Sequence, residues 1–360
     1  MGSRSGSHRA ETVVNPAIGC DSSCLTPPTD IENDISQPNL SRKDLIAREE
    51  LQRLRTLRNR PNVFKIPLFI GIMMGLTWAA WTTDSSLIRW SSYVALGYMW
   101  MGIVTFMHEG THNTLFEREW ANWAFGIVAM IPLMVCFVAF KEDHLEHHRY
   151  NRSPQDPDAF TMGKRGVLDF ILFYAYAVAG ILLSFLHFNL LYPIQKFGLR
   201  SWSIYLLEMV LRVAFVWALV SWALTNDVLT KTLEVWLVPI LFFSLFNSAR
   251  FIAEHYETPW NEGQLLGTRT ITSNPVHSYF WNNINWHIGH HLYPSVPWYN
   301  LVELHDLLKT EIEASGAVVD KSYTAVFLKA LLRGPETEAR VKQASEKRKK
   351  AALKPAPTLT

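Results

Sequence analysis

The sequence predicts an all-α integral membrane protein with four transmembrane helices, two re-entrant or interfacial helical segments and a cytoplasmic helical cap that carries a metal site. Two observations predict this fold class. Hydrophobic residues make up 49% of the 360-residue chain and charged residues only 18%, below the roughly 25% usual in soluble proteins. In addition, nine of the thirteen histidines lie in or next to apolar stretches that are long enough to enter a membrane.

The amino-terminal segment differs in composition from the rest of the chain. Residues 1–40 are rich in Ser, Pro, Asn and Gly and contain no aromatic residue, so burial cannot offset the entropy lost on ordering them. We predict a disordered tail that includes His8. Residues 41–63 then have leucines at helical spacing with arginines between them. This pattern predicts a basic amphipathic helix next to the membrane, either lying on anionic lipid or solvated.

Six hydrophobic windows follow, and each approaches the roughly 20 residues that cross the hydrocarbon core. They lie at about 66–82, 91–107, 122–140, 168–193, 204–224 and 232–253. If all six crossed, the histidine clusters would be divided between the two faces of the membrane. One metal site cannot span the bilayer, so we expect some windows not to cross.

Charge and proline indicate which windows do not cross. Lys and Arg are dense in 42–65 and 340–354, so the positive-inside rule predicts that both termini are cytoplasmic. We expect 122–140 and 168–193 to be re-entrant or to lie along the cytoplasmic leaflet, and Pro132 would break a helix within the first of them. The four expected crossings are 66–82, 91–107, 204–224 and 232–253.

The spacing within the histidine clusters is typical of metal binding. In H-E-G-T-H the two histidines are four residues apart and share a helix face, and each H-x-x-H-H run places histidines at i, i+3 and i+4. Imidazole binds iron, zinc, copper and nickel, and four ligands usually satisfy one zinc. Nine imidazoles are too many for one ion and suit two. The candidate metal ligands are His108, His112, His144, His147, His148, His255, His287, His290 and His291.

Polar residues near these ligands are candidates for holding the ring nitrogen that does not face the metal. They are Glu109, Asp143, Glu146, Asp156, Asp158, Glu254, Asn283 and Asn285. Three further histidines stand alone in the sequence, and we expect His187, His277 and His305 to be hydrogen-bonded core residues.

These motifs resemble the three histidine boxes of the membrane fatty acid desaturase and hydroxylase superfamily. The boxes are H-E-G-T-H-N-T-L-F, then D-H-L-E-H-H-R-Y-N followed by D-P-D, and N-I-N-W-H-I-G-H-H-L-Y-P. His255 in R-F-I-A-E-H-Y matches an additional histidine that follows the last span in this family. The resemblance runs from about Phe64 to Lys309. We therefore predict a catalytic domain over 64–309 and a basic carboxy-terminal tail over 310–360.

The resemblance implies a non-haem di-iron enzyme that uses two Fe²⁺ ions and O₂ to introduce a double bond into a fatty acyl chain. The di-iron centre itself is then catalytic, with no separate acid or base. A lipid substrate and a membrane location follow, the endoplasmic reticulum in a eukaryote, and no nucleic acid partner is expected. Neither tail contains the H-P-G-G motif of cytochrome b5, which favours an external electron donor such as cytochrome b5 or ferredoxin with its reductase.

Two alternative functions remain open at this point. A hydroxylase or ketolase of the same superfamily would act on a fatty acyl, carotenoid or other long apolar substrate. H-E-G-T-H is also the H-E-x-x-H motif of zinc metalloproteases, some of them intramembrane, in which Glu109 would be the general base. The protease interpretation leaves at least six of the nine histidines without a role, so the sequence favours the two-metal enzyme.

Overall fold

The computed structural model describes residues 45–158 and 166–352, and these are mostly helical, as predicted. The predicted tail 1–40 with His8, the first four residues of the predicted helix 41–63 and residues 353–360 lie outside the described residues. The helices are α1 (Arg48–Arg55), α2 (Asn59–Thr82), α3 (Ser86–Thr111), α4 (Glu119–Met130), α5 (Phe137–Tyr150), α6 (Val167–Leu186), α7 (Tyr192–Lys196), α8 (Leu199–Thr225), α9 (Leu229–His255), α10 (Gly263–Leu266), α11 (Pro275–Phe280), α12 (His287–Leu292), α13 (Leu301–Ser315), α14 (Tyr323–Arg333) and α15 (Glu338–Ala352). A π-helix covers His187–Leu191, a 3₁₀ helix covers Trp298–Asn300, and the strands are β1 (Arg269–Ile271) and β2 (Val318–Asp320).

Four long helices, α2, α3, α8 and α9, form the centre of the fold. The side chain of Asn62 at the start of α2 donates to the carbonyl of Leu115 just after α3, so these two termini meet. At the other end of the bundle, Tyr93 Oη near the start of α3 donates to Glu234 in α9 at 3.0 Å. The bundle therefore has one end, here called the histidine end, at which α2 begins and at which α3 and α9 finish.

Helix α8 runs in the same direction as α2. Ser201 Oγ, near its start, donates to Glu142 in α5. The ring of Trp222, near its last residues, lies 6.2 Å from that of Trp81, near the end of α2. Two antiparallel hairpins, α2–α3 and α8–α9, thus connect the histidine end to the opposite end.

Length and apolar composition identify four helices of the described chain as candidate membrane spans, which is the predicted number. They are Asn59–Thr82, Val167–Lys196, Leu199–Thr225 and Leu229–His255. This set contains the predicted window 168–193 and omits α3, the helix around 91–107. The difference arises because the Ser, Gly, Tyr and Trp residues of α3 lower its mean hydropathy.

The contacts of residues 167–196 agree with the predicted re-entrant course. Tyr174 Oη donates to the carbonyl of Leu331 in α14 at 2.8 Å, and Lys196 Nζ lies 3.2 Å from the Glu146 carboxylate in α5. Both partners belong to the histidine end. Between them the helix is interrupted at Ala179, whose φ of −130° and ψ of 39° are not helical, and it continues through the π-helix. The segment therefore enters beside α9 and returns to the end from which it started.

The window 122–140 does not form one helix, which confirms the break expected at Pro132. Helix α4 ends at Met130, and α5 begins at Phe137. The Glu208 carboxylate of α8 accepts hydrogen bonds from the backbone amides of Phe137 and Val138 at 2.7 and 2.9 Å. A carboxylate satisfies the free amides at a helix start and interacts favourably with the helix dipole. Glu208 thus fixes the beginning of the helix that carries the second histidine cluster.

The cap over the histidine end contains α1 and α10–α15. Strand β1 pairs in parallel with β2, with Arg269 opposite Val318. Within the cap, helix α1 packs near the start of α13, since Leu54 is fully buried and its carbonyl accepts from Asn300 Nδ2 at 2.6 Å. The predicted helix 41–63 is therefore interrupted between α1 and α2.

The carboxy-terminal region also belongs to the cap. The predicted boundary between 309 and 310 falls within α13, and α14 packs against α9. Residues 310–352 thus contain the end of α13, β2, α14 and α15.

Candidate metal centre

Five of the nine candidate ligands form one group, the first histidine group, where α3, α5 and α12 meet. One ring nitrogen of each lies within 4.8 Å of one from every other. The Nε2 atoms of His112 and His144 are 3.0 Å apart, and those of His148 and His290 are 3.2 Å apart. The group consists of His108, His112, His144, His148 and His290.

The other four candidate ligands form the second histidine group. Ring nitrogens of His147, His255 and His291 lie within 4.8 Å of one another. The Nε2 atom of His287 is 3.1 Å from that of His291 and 3.3 Å from that of His255. The two groups adjoin, because the rings of His148 and His291 stack with their centroids 4.1 Å apart. The fold thus brings all nine histidines together in sets of five and four.

The spacing of the nitrogens fits metal coordination. A metal–nitrogen bond of about 2.0–2.1 Å places neighbouring ligand nitrogens about 3.0 Å apart in an octahedral site and about 3.4 Å apart in a tetrahedral one. The close Nε2 pairs in the two groups span 3.0–3.3 Å. The nitrogens are therefore already spaced as the edges of coordination polyhedra.

Several buried ring nitrogens also lack a hydrogen-bond partner within the described chain. Both nitrogens of His108 are in this state, as are the Nδ1 atoms of His148, His287 and His290. Burial lowers the pKa of His290 to about 3, so its imidazole is neutral at pH 7. Neutral imidazole is the form that binds metal, and an unpartnered buried nitrogen costs roughly 1–3 kcal/mol. A metal ion bound by one of the two ring nitrogens of His108 would remove this cost at that atom.

Asp156 and Asp158 both lie beside the Nδ1 atom of His147. The Nδ1 of His147 lies 2.9 Å from Asp156 Oδ1 and 3.3 Å from Asp158 Oδ2. Burial lowers the pKa of His147, but the carboxylates outweigh it and raise that pKa to about 9. At a pKa of about 9 the Nε2 of His147 carries a proton at pH 7, and a metal ion would displace this proton. The Nδ1–H would go on donating to the carboxylates, and such pairs orient metal ligands in many proteins.

Two further acceptors hold ligands of the second group. The Nδ1 of His291 lies 2.9 Å from Gln264 Oε1, and that of His255 lies 3.2 Å from the carbonyl of Gly267. The sequence did not indicate these partners, because Gln264 belongs to the short helix α10, outside every histidine cluster. The carbonyl of Gly267 could not be predicted either, because every residue has a backbone carbonyl and the sequence does not show which one accepts a hydrogen bond.

Six other polar residues were predicted to hold ring nitrogens of the candidate ligands. One of them contacts a candidate ligand, and five do not. The Glu254 carboxylate lies 3.4 Å from His287 Nε2 and accepts from Tyr323 Oη at 3.1 Å. The other five hydrogen-bond elsewhere: Glu109 accepts from Thr114 and Trp298, Asp143 pairs with His187, Glu146 pairs with Lys196, Asn283 donates to Trp298, and Asn285 donates to Ile271.

The three isolated histidines lie outside both groups. His187 Nε2 is 2.9 Å from Asp143 Oδ1, and His277 Nδ1 is 3.1 Å from Tyr98 Oη, so both are hydrogen-bonded as expected. His305 instead stacks on Trp286 with ring centroids 4.4 Å apart, and its buried Nδ1 has no partner within the described chain.

A cavity of about 450 Å³ adjoins both histidine groups. His108 and His144 of the first group and His147, His255 and His287 of the second line it. Its other walls are chiefly apolar and come from α3, the α4–α5 region, the re-entrant segment and α9, including Val104, Leu133, Phe140, Ile181, Leu183 and Phe243. The polar exceptions include Asp143, Asp158, His187, Asn247 and Arg250. A long apolar molecule could therefore reach both groups.

These features define a membrane protein with a histidine-rich candidate metal centre beside an apolar cavity. The sequence of the chain matches the fatty acid desaturase family model over residues 84–323. The chain belongs to this family and is an oxidoreductase that acts as a lipid desaturase. Residues 324–352, which form most of α14 and all of α15, lie beyond the match.

Curated relatives agree with this assignment. The chain is 24% identical over 295 residues to the sn-1 oleoyl-lipid 12-desaturase of Anabaena variabilis, covering 76% of this chain and 83% of the relative. It is 30% identical over 205 residues to the sphingolipid delta(4)-desaturase of Xenopus tropicalis, covering 54% and 58%. It is 24% identical over 300 residues to a putative sphingolipid delta(4)-desaturase/C4-monooxygenase of Caenorhabditis elegans, covering 74% and 72%.

Proposed function

We propose that the protein is an O₂-dependent di-iron desaturase that introduces a double bond into the acyl chain of a lipid. The observation that carries this proposal is the opening of both histidine groups into one apolar cavity. The five histidines of the first group would hold one Fe²⁺, and the four of the second group would hold the other. The overall reaction converts –CH₂–CH₂–, O₂, two electrons and two protons into –CH=CH– and two molecules of water.

The iron ions would supply the oxidising chemistry, since amino-acid side chains alone cannot remove hydrogen from an unactivated C–H bond. The contribution of the chain is to position the substrate and to exclude water. Val104 lies one helical turn from His108 on α3, and both line the cavity. Phe140 lines it one turn before His144 and stacks on that ring with centroids 5.5 Å apart. Apolar side chains therefore lie directly beside the ligands, where a methylene pair would bind.

Electrons would come from a separate protein, either cytochrome b5 or ferredoxin with its reductase. The basic segments around α1 and α15 support this proposal. Both donors are acidic, and opposite charges favour docking. We propose that both termini are cytoplasmic, in agreement with the lysines and arginines around α1 and α15. For a eukaryotic cell we propose the endoplasmic reticulum membrane as the location.

A lipid analysis tests the proposed reaction. Cells that express the chain should accumulate lipids with two hydrogens fewer than their precursors, and cells that express His147→Ala should not. A product that instead contains one additional oxygen would show that the enzyme is a hydroxylase. If the profile of every lipid class were unchanged while purified protein retained two iron ions, lipids of the host would be excluded as substrates. Purified active protein with one zinc and no iron would exclude the di-iron centre.

One observation favours a second candidate substrate, a long-chain base lipid that carries hydroxyl groups. Asp143 and His187 form a hydrogen-bonded pair that lines the cavity next to His144. Polar groups at this position suit a substrate with hydroxyl or amide groups close to the reacting carbon. Under this proposal His187→Phe would reduce conversion of sphingolipids at least as much as it reduces conversion of simple acyl lipids. The opposite order of effects would favour the simple acyl chain.

A further inference from the structure

The turn between α14 and α15 lies beyond the family match, yet it contains a completely buried carboxylate. Glu336 is 0% exposed, and the match ends at residue 323. A buried carboxylate is costly unless it is paired and hydrogen-bonded. Burial of the Glu336 carboxylate therefore requires a cationic partner.

That cation is Arg152, in the loop between the second histidine cluster and the D-P-D motif. Both terminal nitrogens of the Arg152 guanidinium donate to the Glu336 carboxylate. Nη1 lies 3.3 Å from Oε1, and Nη2 donates to Oε2. Both side chains are almost completely buried. The same Nη2 donates to the carbonyl of Thr258 at 2.8 Å, and Trp260 Nε1 donates to Glu336 at 3.2 Å. The fork geometry fixes the position of Arg152 as well as neutralising its charge.

The backbone of Arg152 in turn holds a carboxylate that orients a candidate ligand. Its amide donates to Asp156 Oδ2 at 2.7 Å, and Asp156 Oδ1 lies 2.9 Å from His147 Nδ1. Arg152 has a φ of +58°, a left-handed conformation that is unfavourable for a residue other than glycine, asparagine or aspartate. The ion pair with Glu336 is therefore in a position to maintain the backbone conformation on which Asp156 depends.

The same turn also contacts the other side of the second histidine group. Tyr256, which directly follows His255, donates from Oη to the carbonyl of Gly334 at 2.8 Å. Arg340 Nη2 donates to that Oη at 2.9 Å. The turn at 334–336 thus contacts Tyr256, which follows His255, and Arg152, whose backbone amide holds Asp156.

We propose that Glu336 is a positioning residue for the second metal, acting through Arg152 and Asp156 on His147. The inference rests on the proposed two-metal centre. It assigns to the carboxy-terminal segment a role in holding one of two metals. It predicts that loss of the contact between Glu336 and Arg152 weakens metal binding by the second histidine group and not by the first.

Metal binding to the purified full-length protein tests this role. Co²⁺ is a suitable probe, because its visible absorption reports ligand number and geometry. Wild-type protein should bind two Co²⁺ ions. Glu336→Gln should bind one as wild type does and the other about 10-fold more weakly, the size of effect typical for the loss of a partner that orients a ligand. The absorption bands of the weaker ion should change.

Two companion variants separate positioning from a general loss of structure. Arg152→Gln removes the ion pair and does not itself favour positive φ, so it should reproduce the Glu336→Gln effect and carry the same test if Glu336→Gln does not fold. Lys349→Gln removes an exposed ion pair with Glu262, which connects α15 to the start of α10, and it should leave both affinities unchanged.

A double variant tests the route through Asp156. If Glu336 acts on His147 by way of Asp156, the double variant Glu336→Gln/Asp156→Asn should bind the second ion no more weakly than Asp156→Asn alone. Unchanged binding of both ions by Glu336→Gln, equal weakening of both ions, or additive effects in the double variant would each overturn the proposal. Co²⁺ binding requires no substrate, so these outcomes are independent of whether a desaturated lipid is found.

Discussion

The backbone amide of Trp298 donates a hydrogen bond to the Glu109 carboxylate at 2.9 Å. Thr114 Oγ1 donates to the same oxygen at 2.9 Å, and Glu109 is buried. The side chain that would be the general base of an H-E-x-x-H protease therefore connects α3 to the cap. We expect Glu109→Gln to retain desaturase activity, because the amide oxygen accepts the same two hydrogen bonds.

The measurement for Glu109→Gln is the fraction of desaturated lipid, with a thermal denaturation curve beside it. The loss of a charged acceptor should cost about 1 kcal/mol of stability. A protease would lose all activity in this variant. Complete loss of desaturation in a Glu109→Gln protein that still binds two ions would show that Glu109 has a direct role in the reaction.

Metal content should depend on the two histidine groups separately. His290→Ala removes a ligand from the first group, so it should weaken binding of the first ion more than binding of the second. His147→Ala removes a ligand from the second group and should have the opposite order of effects. Both variants should lose desaturation by roughly 100-fold or more, since removal of a residue that merely orients a ligand already costs about 10–100-fold. Iron analysis of the purified proteins checks this prediction.

The matched control is His305→Ala. His305 belongs to neither group and stacks on Trp286, so this variant should keep both ions even if it is less stable. If His147→Ala and His290→Ala removed both ions equally, the division of the nine histidines into two binding groups would be wrong.

The sequence named nine histidines as candidate ligands, but it did not show how the fold divides these nine into two groups. Neighbouring residues on an α-helix point about 100° apart, because one turn contains 3.6 residues. His147 and His148 therefore belong to different groups, as do His290 and His291. The spacing within a cluster shows which residues share a face, but only the packing of α3, α5, α9 and α12 shows which faces meet.

The path of residues 167–196 shows a similar limit. Hydropathy alone indicates a full span, whereas the requirement that all histidines meet predicted a re-entrant segment. The contacts of Tyr174 and Lys196 with the histidine end agree with the second interpretation. Long-range partners such as Gln264 and Glu336 were beyond prediction, because the chemistry of an isolated Gln or Glu does not reveal which distant side chain it will contact.

Lys141 should make stability depend on pH in the alkaline range. It lies on α5, three residues before His144, and its Nζ donates to the carbonyl of Thr111 at the end of α3. Burial lowers the pKa of Lys141 to about 8, from an ordinary value of 10.5. Between pH 8 and 10.5 the unfolded chain therefore binds a proton that the folded chain has released, and stability rises with pH across this window.

The comparison of wild type with Lys141→Met isolates this contribution. The difference in Tm between the two proteins should move in favour of wild type as the pH rises from 7 to 10, and Lys141→Met should lack that component of the pH dependence. A constant difference across this range would show that the pKa of Lys141 is not lowered by folding.

Gly180 allows the re-entrant segment to approach α9 closely. An added Cβ at Gly180 would overlap Ser248 Oγ, which donates to the carbonyl of Tyr176 at 2.7 Å. Because Ile181 and Leu183 on the same segment line the cavity, displacement of this segment changes the wall that holds the substrate. We expect Gly180→Ala to cost about 1–3 kcal/mol of stability, as overpacked cores do, and to lower the yield of desaturated lipid.

Two variants make the cause specific. Gly75→Ala, in α2, has no atom within 4 Å of the added Cβ and should leave activity and Tm unchanged or slightly raise Tm. Removal of the overlapping hydroxyl in Gly180→Ala/Ser248→Ala should recover activity relative to Gly180→Ala, because the collision is with Oγ rather than with the backbone. If the double variant were no more active than Gly180→Ala, contact between the re-entrant segment and α9 at this position would not control the cavity.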